Sequence, residues 1–231
     1  MTDEQHLADD PAEVSTIDSL RSLALEHGFD YRDADATLVD RWGAPPFPSV
    51  GHRRALDVVT GERGGFPVVA FRFVVAERDR TAGAQAGFGG GVKLAIPEVF
   101  EQYVVVAAAL PSPLPRFALA PREGAIDEVP FGDVFECEDP GLAERYDVYA
   151  ADPGTAGAVL HLDAVEKIRA HRDLDWRVEG RDIIAVEQTY SLERSAEEIL
   201  ETLDAVVAIA AGIDTDAYAR YKAPAGYPPS A

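Results

Sequence analysis

Residues 68–76 constrain the fold most strongly, because their side chains alternate as those of a β-strand do. Every second residue from Val69 to Val75 is large and apolar, and aromatic and β-branched side chains favour the pleated surface of a sheet. A nearly continuous apolar run at residues 103–110 predicts a central strand. The chain is therefore expected to build much of its core on β-structure.

Further strand patterns are bounded by turn residues and prolines. Pro111, Pro113 and Pro115 follow the apolar run, so the short apolar stretch after them is predicted to be an edge strand. Gly180 and Arg181 mark the centre of a predicted hairpin. These additional strands are expected at residues 55–60, 117–120, 134–137, 145–149, 174–179 and 182–189.

Capping residues predict a helix near each end of the chain. Ser15 and Asp18 have the spacing of a capping box and begin a helix that Gly28 ends. Ser195 and Glu198 repeat that spacing before a strongly amphipathic helix at residues 195–211. The apolar side of this C-terminal helix consists of Ile199, Leu203, Val206, Val207 and Ala210.

Two further helices are predicted between these ends. A short helix at residues 33–42 would carry Leu38, Val39 and Trp42 on one side. Asp152, with Pro153 at the first helical position, begins a helix expected to continue to residue 171. Its predicted apolar side consists of Val159, Leu162, Val165 and Ile168.

The order of these elements predicts an α+β fold. It is expected to be mainly antiparallel sheet, with an N-terminal helix, a mid-chain helix near 153–171 and a C-terminal helix near 195–211. Residues 1–13 are predicted to be a disordered acidic tail and residues 223–231 a second disordered tail. Residues 14–222 are expected to form a single globular domain, or two packed halves joined near 121–130.

The charge balance argues against two classes of partner. The chain has 41 acidic and 21 basic residues and a formal net charge of -20, and such a surface repels nucleic-acid phosphates and anionic lipid headgroups. A local cluster of arginines would override that net figure. We therefore expect a protein or small-molecule partner, with no nucleic acid and no membrane, while the oligomeric state is left open.

Cysteine usage and the first residues predict a cytoplasmic protein. Cys137 is the single cysteine, so no intramolecular disulfide is possible. The first ten residues are acidic and polar and lack the basic and apolar regions of a secretory signal. The longest apolar runs are too short to span a bilayer.

No motif predicts a cofactor or a metal ion. Residues 87–93, Gly-Phe-Gly-Gly-Gly-Val-Lys, lack the Gly-Lys-Ser/Thr ending of a phosphate-binding loop. The segment 83–91 is instead expected to be a flexible hairpin loop. The histidines have no partner at metal-ligand spacing and are His6, His27, His52, His161 and His171.

The remaining reactive side chains predict no catalytic residue. Cys137 lies between Glu136 and Glu138, whose carboxylates oppose a reactive thiolate. Ser195 is explained by its capping role. Three pairs of aspartates do not continue into a calcium loop, and they are Asp33 with Asp35, Asp173 with Asp175, and Asp214 with Asp216.

Several short stretches resemble a family of uncharacterised actinobacterial proteins. They include Gly-Phe-Asp-Tyr at 28–31, Leu-Val-Asp-Arg-Trp at 38–42, Gly-Phe-Pro-Val-Val-Ala-Phe at 65–71, Pro-Ser-Pro-Leu-Pro at 111–115 and Glu-Arg-Tyr-Asp-Val at 144–148. The resemblance covers about residues 18–213 and consists of turns, prolines and strand cores. It implies one cytoplasmic globular unit from a high-GC source, and it assigns no site residues.

Two functions are compatible with this sequence. The first hypothesis is a non-catalytic binding or accessory protein, because no ordered set of nucleophile, base or metal ligands is present. The alternative is an enzyme that acts on a small neutral or cationic substrate, with acidic residues or His52 and Arg53 converging only in three dimensions. A deep polar pocket holding several groups with shifted pKa values would favour the enzyme.

Overall fold

A strand of 24 residues, β4 (Glu98–Pro121), runs through the centre of the sheet. The computed structural model describes residues 16–49, 51–77, 98–122, 133–171, 174–189 and 194–221. Over these ranges the chain has the predicted α+β architecture, an antiparallel sheet with helices packed against it. Residues 83–91 and both predicted tails lie outside the described ranges, and the division into domains stays a prediction.

Six further strands of the described ranges pair with β4 or with one another. They are β1 (Asp30–Ala34), β2 (His52–Arg63), β3 (Phe66–Glu77), β5 (Asp133–Phe135), β6 (Tyr146–Ala150) and β7 (Trp176–Gln188). The strand order is β1-β2-β3-β4-β6-β5, and β7 pairs with β4. Every pairing is antiparallel, as predicted.

The described ranges contain α-helices and, between β1 and β2, one turn of 3-10 helix at Ala36–Leu38. The α-helices are α1 (Thr16–His27), α2 (Pro140–Ala143), α3 (Pro153–Val159), α4 (Leu162–Ala170), α5 (Ala196–Gly212) and α6 (Thr215–Arg220). The predicted capping box of α5 is confirmed, with reciprocal hydrogen bonds between Ser195 and Glu198. Gly28 follows α1 with a φ of 69°, a left-handed conformation that favours glycine.

The prediction that prolines end the central strand is wrong. β4 continues through Pro111, Pro113 and Pro115 because its register with β7 shifts at two places between Ala109 and Phe117, and prolines are tolerated at such bulges. Beyond them, residues 117–119 pair with β6 on one edge and with β7 on the other. This stretch is therefore internal to the sheet and not the predicted edge strand.

The predicted hairpin at Gly180 is a single strand. β7 runs from Trp176 to Gln188, and both of its halves pair with β4 rather than with each other. Gly180 has a φ of 62° and lies where the register shifts, so it acts as a bulge glycine instead of a turn residue.

The segment 33–42 is not the predicted helix. Its first residues belong to β1, and the Asp35 carboxylate then accepts a 2.9 Å hydrogen bond from the Thr37 amide, which starts the 3-10 turn. Leu38 and Trp42 are nevertheless buried, as the pattern predicted.

The mid-chain helix is divided into α3 and α4 by an extended residue, His161. The second helix therefore begins with a new rotational phase, and Leu162 is 76% exposed instead of buried. Val159, Val165 and Ile168 are buried as predicted.

The helices cover one face of the sheet and form the larger core. α5 lies at its centre, where Ile199, Leu203 and Val206 are each at most 1% exposed. They pack with apolar side chains of α1, α4, β4 and β7 in one continuous cluster. Burial of this face removes a large apolar area from water and stabilises the fold.

The opposite face of the sheet is also partly covered, by residues 36–49. Trp42 and Phe47 lie 4.8 Å apart between ring centroids and pack on Phe71 and Phe73 of β3. Alternation along β3 thus directs Phe71 and Phe73 to this second face and Ala70 to the helical face. Among the residues that the structure describes, none covers the part of the second face next to this aromatic cluster.

Leu203→Ala should lower the free energy of unfolding by about 2–5 kcal/mol, because it leaves a cavity in the helical core. Urea denaturation measures the change. Leu25→Ala on α1 is the matched control, since Leu25 is 79% exposed and its loss should cost less than about 0.5 kcal/mol. An equal midpoint for both variants would contradict the packing of α5.

Candidate functional site

An open groove lies on the second face of the sheet, beside residues 36–49. Its main cavity has a volume of about 570 Å³ and is bounded by Arg41, Ala109, Arg116 and residues 179–182 of β7. A neighbouring cavity of about 280 Å³ shares Arg41, Ala109 and Asp182 and extends it toward β2 and β3. We refer to both cavities together as the groove, which is large enough for a small organic molecule.

An ion pair joins the two sides of the groove. The Arg41 guanidinium donates from Nε and Nη2 to the Asp182 carboxylate, at 2.9 and 2.7 Å. The indole Nε1 of Trp42 donates to the same carboxylate at 2.9 Å. Because the Asp182 side chain is only 8% exposed, these three hydrogen bonds replace the water that burial removes. They also fix residues 41 and 42 over the sheet.

Glu179 is held in a similar way. Its carboxylate accepts hydrogen bonds from the Gly43 amide at 3.0 Å and from Arg177 Nε at 2.8 Å. The Glu179 side chain is 6% exposed, and burial lowers the pKa of Arg177, an effect that the nearby carboxylates of Glu179 and Asp175 oppose. Both buried carboxylates of the groove are therefore positioned by fixed donors.

Two exposed arginines lie at the rim of the groove. Arg116 lies close to residues 36–49, because a Cβ added to Gly43 would be 3.3 Å from the Arg116 Nη2 atom. Arg181 Nη2 donates to the Pro111 carbonyl at 3.1 Å, which orients its side chain along β4. The described lining of the main cavity contains three arginines and two carboxylates, and the neighbouring cavity adds Arg32 and Asp35. The groove is therefore locally cationic in a protein whose net charge is -20.

A separate, smaller cavity contains the carboxyl group with the most altered pKa in the described ranges. It measures about 100 Å³ and is bounded by Leu174, Asp175, Arg194 and residues 185–187. Residues from just before β7 and from its far end line this one cavity. Burial raises the pKa of Asp175 to about 6, although the charge of Arg177 opposes the change.

The described residues singled out from the sequence do not converge in the groove. His52 is exposed, and Arg53 forms an ion pair with Asp40 at 2.8 Å. Cys137 is half-buried at another cavity, of about 310 Å³. The structure assigns capping roles to Asp35, Asp214 and Ser195. His6, Asp173 and the Gly87–Lys93 segment lie outside the described residues.

The groove residues were missed because their partners are far apart in the chain. Arg41 and Asp182 are separated by 141 positions. One signal was present, since Asp182 directly precedes the apolar run at residues 183–186, and a charged residue next to a buried strand segment needs a partner.

Two features are absent from the parts of the chain that the structure describes. These residues contain no group of three His, Cys, Asp or Glu side chains arranged to hold a metal ion. None of their helices has the length and apolar character needed to cross a bilayer.

Comparison with known proteins shows similarity of fold. No family model matches the sequence, and no curated protein matches it significantly. Among solved structures, the chain is similar to the crystal structure of the mycobacterial trehalose monomycolate transport factor A, TtfA, with a TM-score of 0.60. The alignment covers 85% of this chain and 93% of that chain at 18% sequence identity. At this identity the likeness establishes a shared fold alone.

Asp182→Ala should lower the free energy of unfolding by about 2–4 kcal/mol, because it leaves Arg41 and the Trp42 indole without their acceptor. The matched control is Asp204→Ala, which breaks the more exposed pair with Arg63 and should cost less than about 1 kcal/mol. Thermal and urea unfolding of both variants measure the difference. Equal costs would mean that the Arg41–Asp182 pair does not anchor residues 36–49.

Asp175→Asn should stabilise the protein at pH 7 by about 1–3 kcal/mol. The pKa of Asp175 is raised to about 6 from 3.8, so the folded state favours the protonated carboxyl. The wild type therefore loses stability as the pH rises from about 4 to 6, whereas the amide carries no such penalty. Unfolding at pH 4 should show little difference between the two. Glu201→Gln, at an exposed position of α5, is the control, and a gain from Asp175→Asn that does not depend on pH would contradict the prediction.

Proposed function

We propose that this protein is a non-catalytic binding or accessory protein and that its ligand occupies the groove. The observation that carries the proposal is the state of the two buried carboxylates there. Asp182 accepts three hydrogen bonds and Glu179 accepts two, so both are committed to holding the loop and the strand. Such groups shape a binding surface, whereas a general acid or base needs a proton-transfer path to a substrate.

The enzyme alternative is less well supported, because the polar groove and the carboxyl group with a raised pKa lie apart. The carboxyl group with a pKa raised to about 6 is Asp175, which lines the cavity of about 100 Å³ and not the groove. A cavity of that size is below the range of typical substrate pockets. The two features expected of an active site, space for a substrate and a group poised to titrate, therefore occur in different places.

The structural neighbour supports an accessory role. That protein is described as a transport factor, which is compatible with a non-catalytic accessory role. We also propose, from the sequence resemblance, that the chain belongs to the actinobacterial family described above.

A groove-blocking variant tests the proposal. Ala109 lies in both cavities of the groove, so Ala109→Phe fills it without changing its charge. We expect native mass spectrometry and thermal-shift screening with small metabolites to detect a ligand of the wild type that Ala109→Phe binds at least about tenfold more weakly. Thr37→Trp, at an exposed rim position, should have the same effect if Ala109→Phe disturbs folding.

Leu25→Phe is the control because it adds an aromatic ring at an exposed position of α1, away from the groove. It should bind as the wild type does. The proposal fails if no ligand binds, or if blocked and control variants bind equally. Conversion of a bound ligand into a new product, detected by mass spectrometry, would favour the enzyme.

A further inference from the structure

We propose that the groove binds a small organic anion through Arg41, Arg116 and Arg181, with a phosphate or carboxylate group of the ligand placed between the guanidinium groups. This inference rests on the proposed function and adds the chemistry of the ligand. It begins from the contrast between a locally cationic groove and an acidic protein. The described lining of its two cavities holds four arginines and three carboxylates, while the chain as a whole has 41 acidic and 21 basic residues.

The carboxylates of the groove do not oppose an anion as strongly as their number suggests. The Asp182 side chain is 8% exposed and already accepts from Arg41 and Trp42. Glu179 is 6% exposed and forms an ion pair with Arg177. Each negative charge is thus neutralised at short range by a guanidinium. Because Arg41 is the group that neutralises Asp182, the net positive charge that a ligand meets comes mainly from Arg116 and Arg181, and Arg41 contributes a hydrogen-bond donor.

The arginines present their donors from different elements. Arg116 comes from β4 and Arg181 from β7, and both are exposed. Arg41 belongs to residues 36–49, which cover part of the second face, and its side chain is 33% exposed. Its bonds to Asp182 use Nε and Nη2, and Nη1 makes no hydrogen bond in the described residues. A guanidinium has five N–H donors in a planar fork that matches phosphate and carboxylate oxygens.

The size and surface of the groove define the rest of the ligand. A volume of about 570 Å³ suits a molecule with a polar body attached to its acidic group. The floor is formed by the small residues Ala109 and Gly180, and Thr37 adds a hydroxyl. Large aromatic surfaces are buried beneath residues 36–49 instead, so the groove offers hydrogen bonds rather than an apolar cleft.

Calorimetric titration of the full chain tests the inference with four probes. Inorganic phosphate and citrate present the two acidic groups, and glucose 6-phosphate and glucose form a charged and neutral pair of the same body. We expect glucose 6-phosphate or citrate to bind and glucose to bind at least about tenfold more weakly, since each charge-assisted hydrogen bond lost costs about that factor. Whichever of glucose 6-phosphate and citrate binds with the higher affinity shows whether the groove prefers a phosphate or a carboxylate group.

The variant Arg116→Gln/Arg181→Gln should weaken anion binding by about tenfold or more. Arg54→Gln is the matched control, because Arg54 is an exposed arginine of β2 that contributes to neither cavity of the groove. It should bind the anion as the wild type does. Both arginines of the double variant are exposed, so loss of their contacts, such as that of Arg181 with the Pro111 carbonyl, should lower its melting temperature only slightly. This measurement separates a loss of binding from a loss of fold.

Three results would overturn the inference. They are the absence of anion binding to the wild type, equal affinity for glucose and glucose 6-phosphate, and equal anion affinity of the double variant and Arg54→Gln. If these occur while Ala109→Phe still blocks a different ligand, the anion chemistry is wrong and the proposed function stands. If Ala109→Phe also changes nothing, both are wrong.

Discussion

Backbone hydrogen bonding along both edges of β4 is the constraint on which the structure depends. One edge pairs first with β3 and then with β6, and the other pairs with β7 over most of its length. Successive residues of β4 face opposite sides of the sheet, so Ala108 packs in the helical core while Ala107 belongs to the second face. The same hydrogen bonds therefore position both the main core and the floor of the groove.

On the second face, the buried carboxylate of Asp182 lies next to an aromatic cluster. Residues 36–49 contribute Trp42 and Phe47 to apolar packing on β3, and this packing fixes no single orientation by itself. The hydrogen bond from the Trp42 indole to Asp182 and the pair with Arg41 add direction. A buried ion pair contributes little net stability but is costly to break, so its role here is to define where the loop lies and hence where the groove opens.

Features that depend on residues close together in the sequence could be predicted, and features that depend on distant residues could not. The strand alternation of β3 and the capping box of α5 are local, and both were predicted correctly from neighbouring residues. Whether Gly180 forms a turn or a bulge depends on whether the halves of β7 pair with each other or with β4, which no local pattern specifies. The restart of the helix at His161, which exposes Leu162, and the contact of Arg41 with a residue 141 positions away are equally non-local. The fold class was accessible from sequence, and the site was not.

Between its pairing with β3 and its pairing with β6, one edge of β4 has no strand partner at residues 109–115 within the described parts of the chain. An unpaired row of backbone donors and acceptors is a template for a strand from another molecule. Three of these seven residues are proline, which has no amide hydrogen to donate. Each proline thus removes one backbone donor from this stretch, so the prolines that failed to end β4 make it a poorer template for a strand from another molecule.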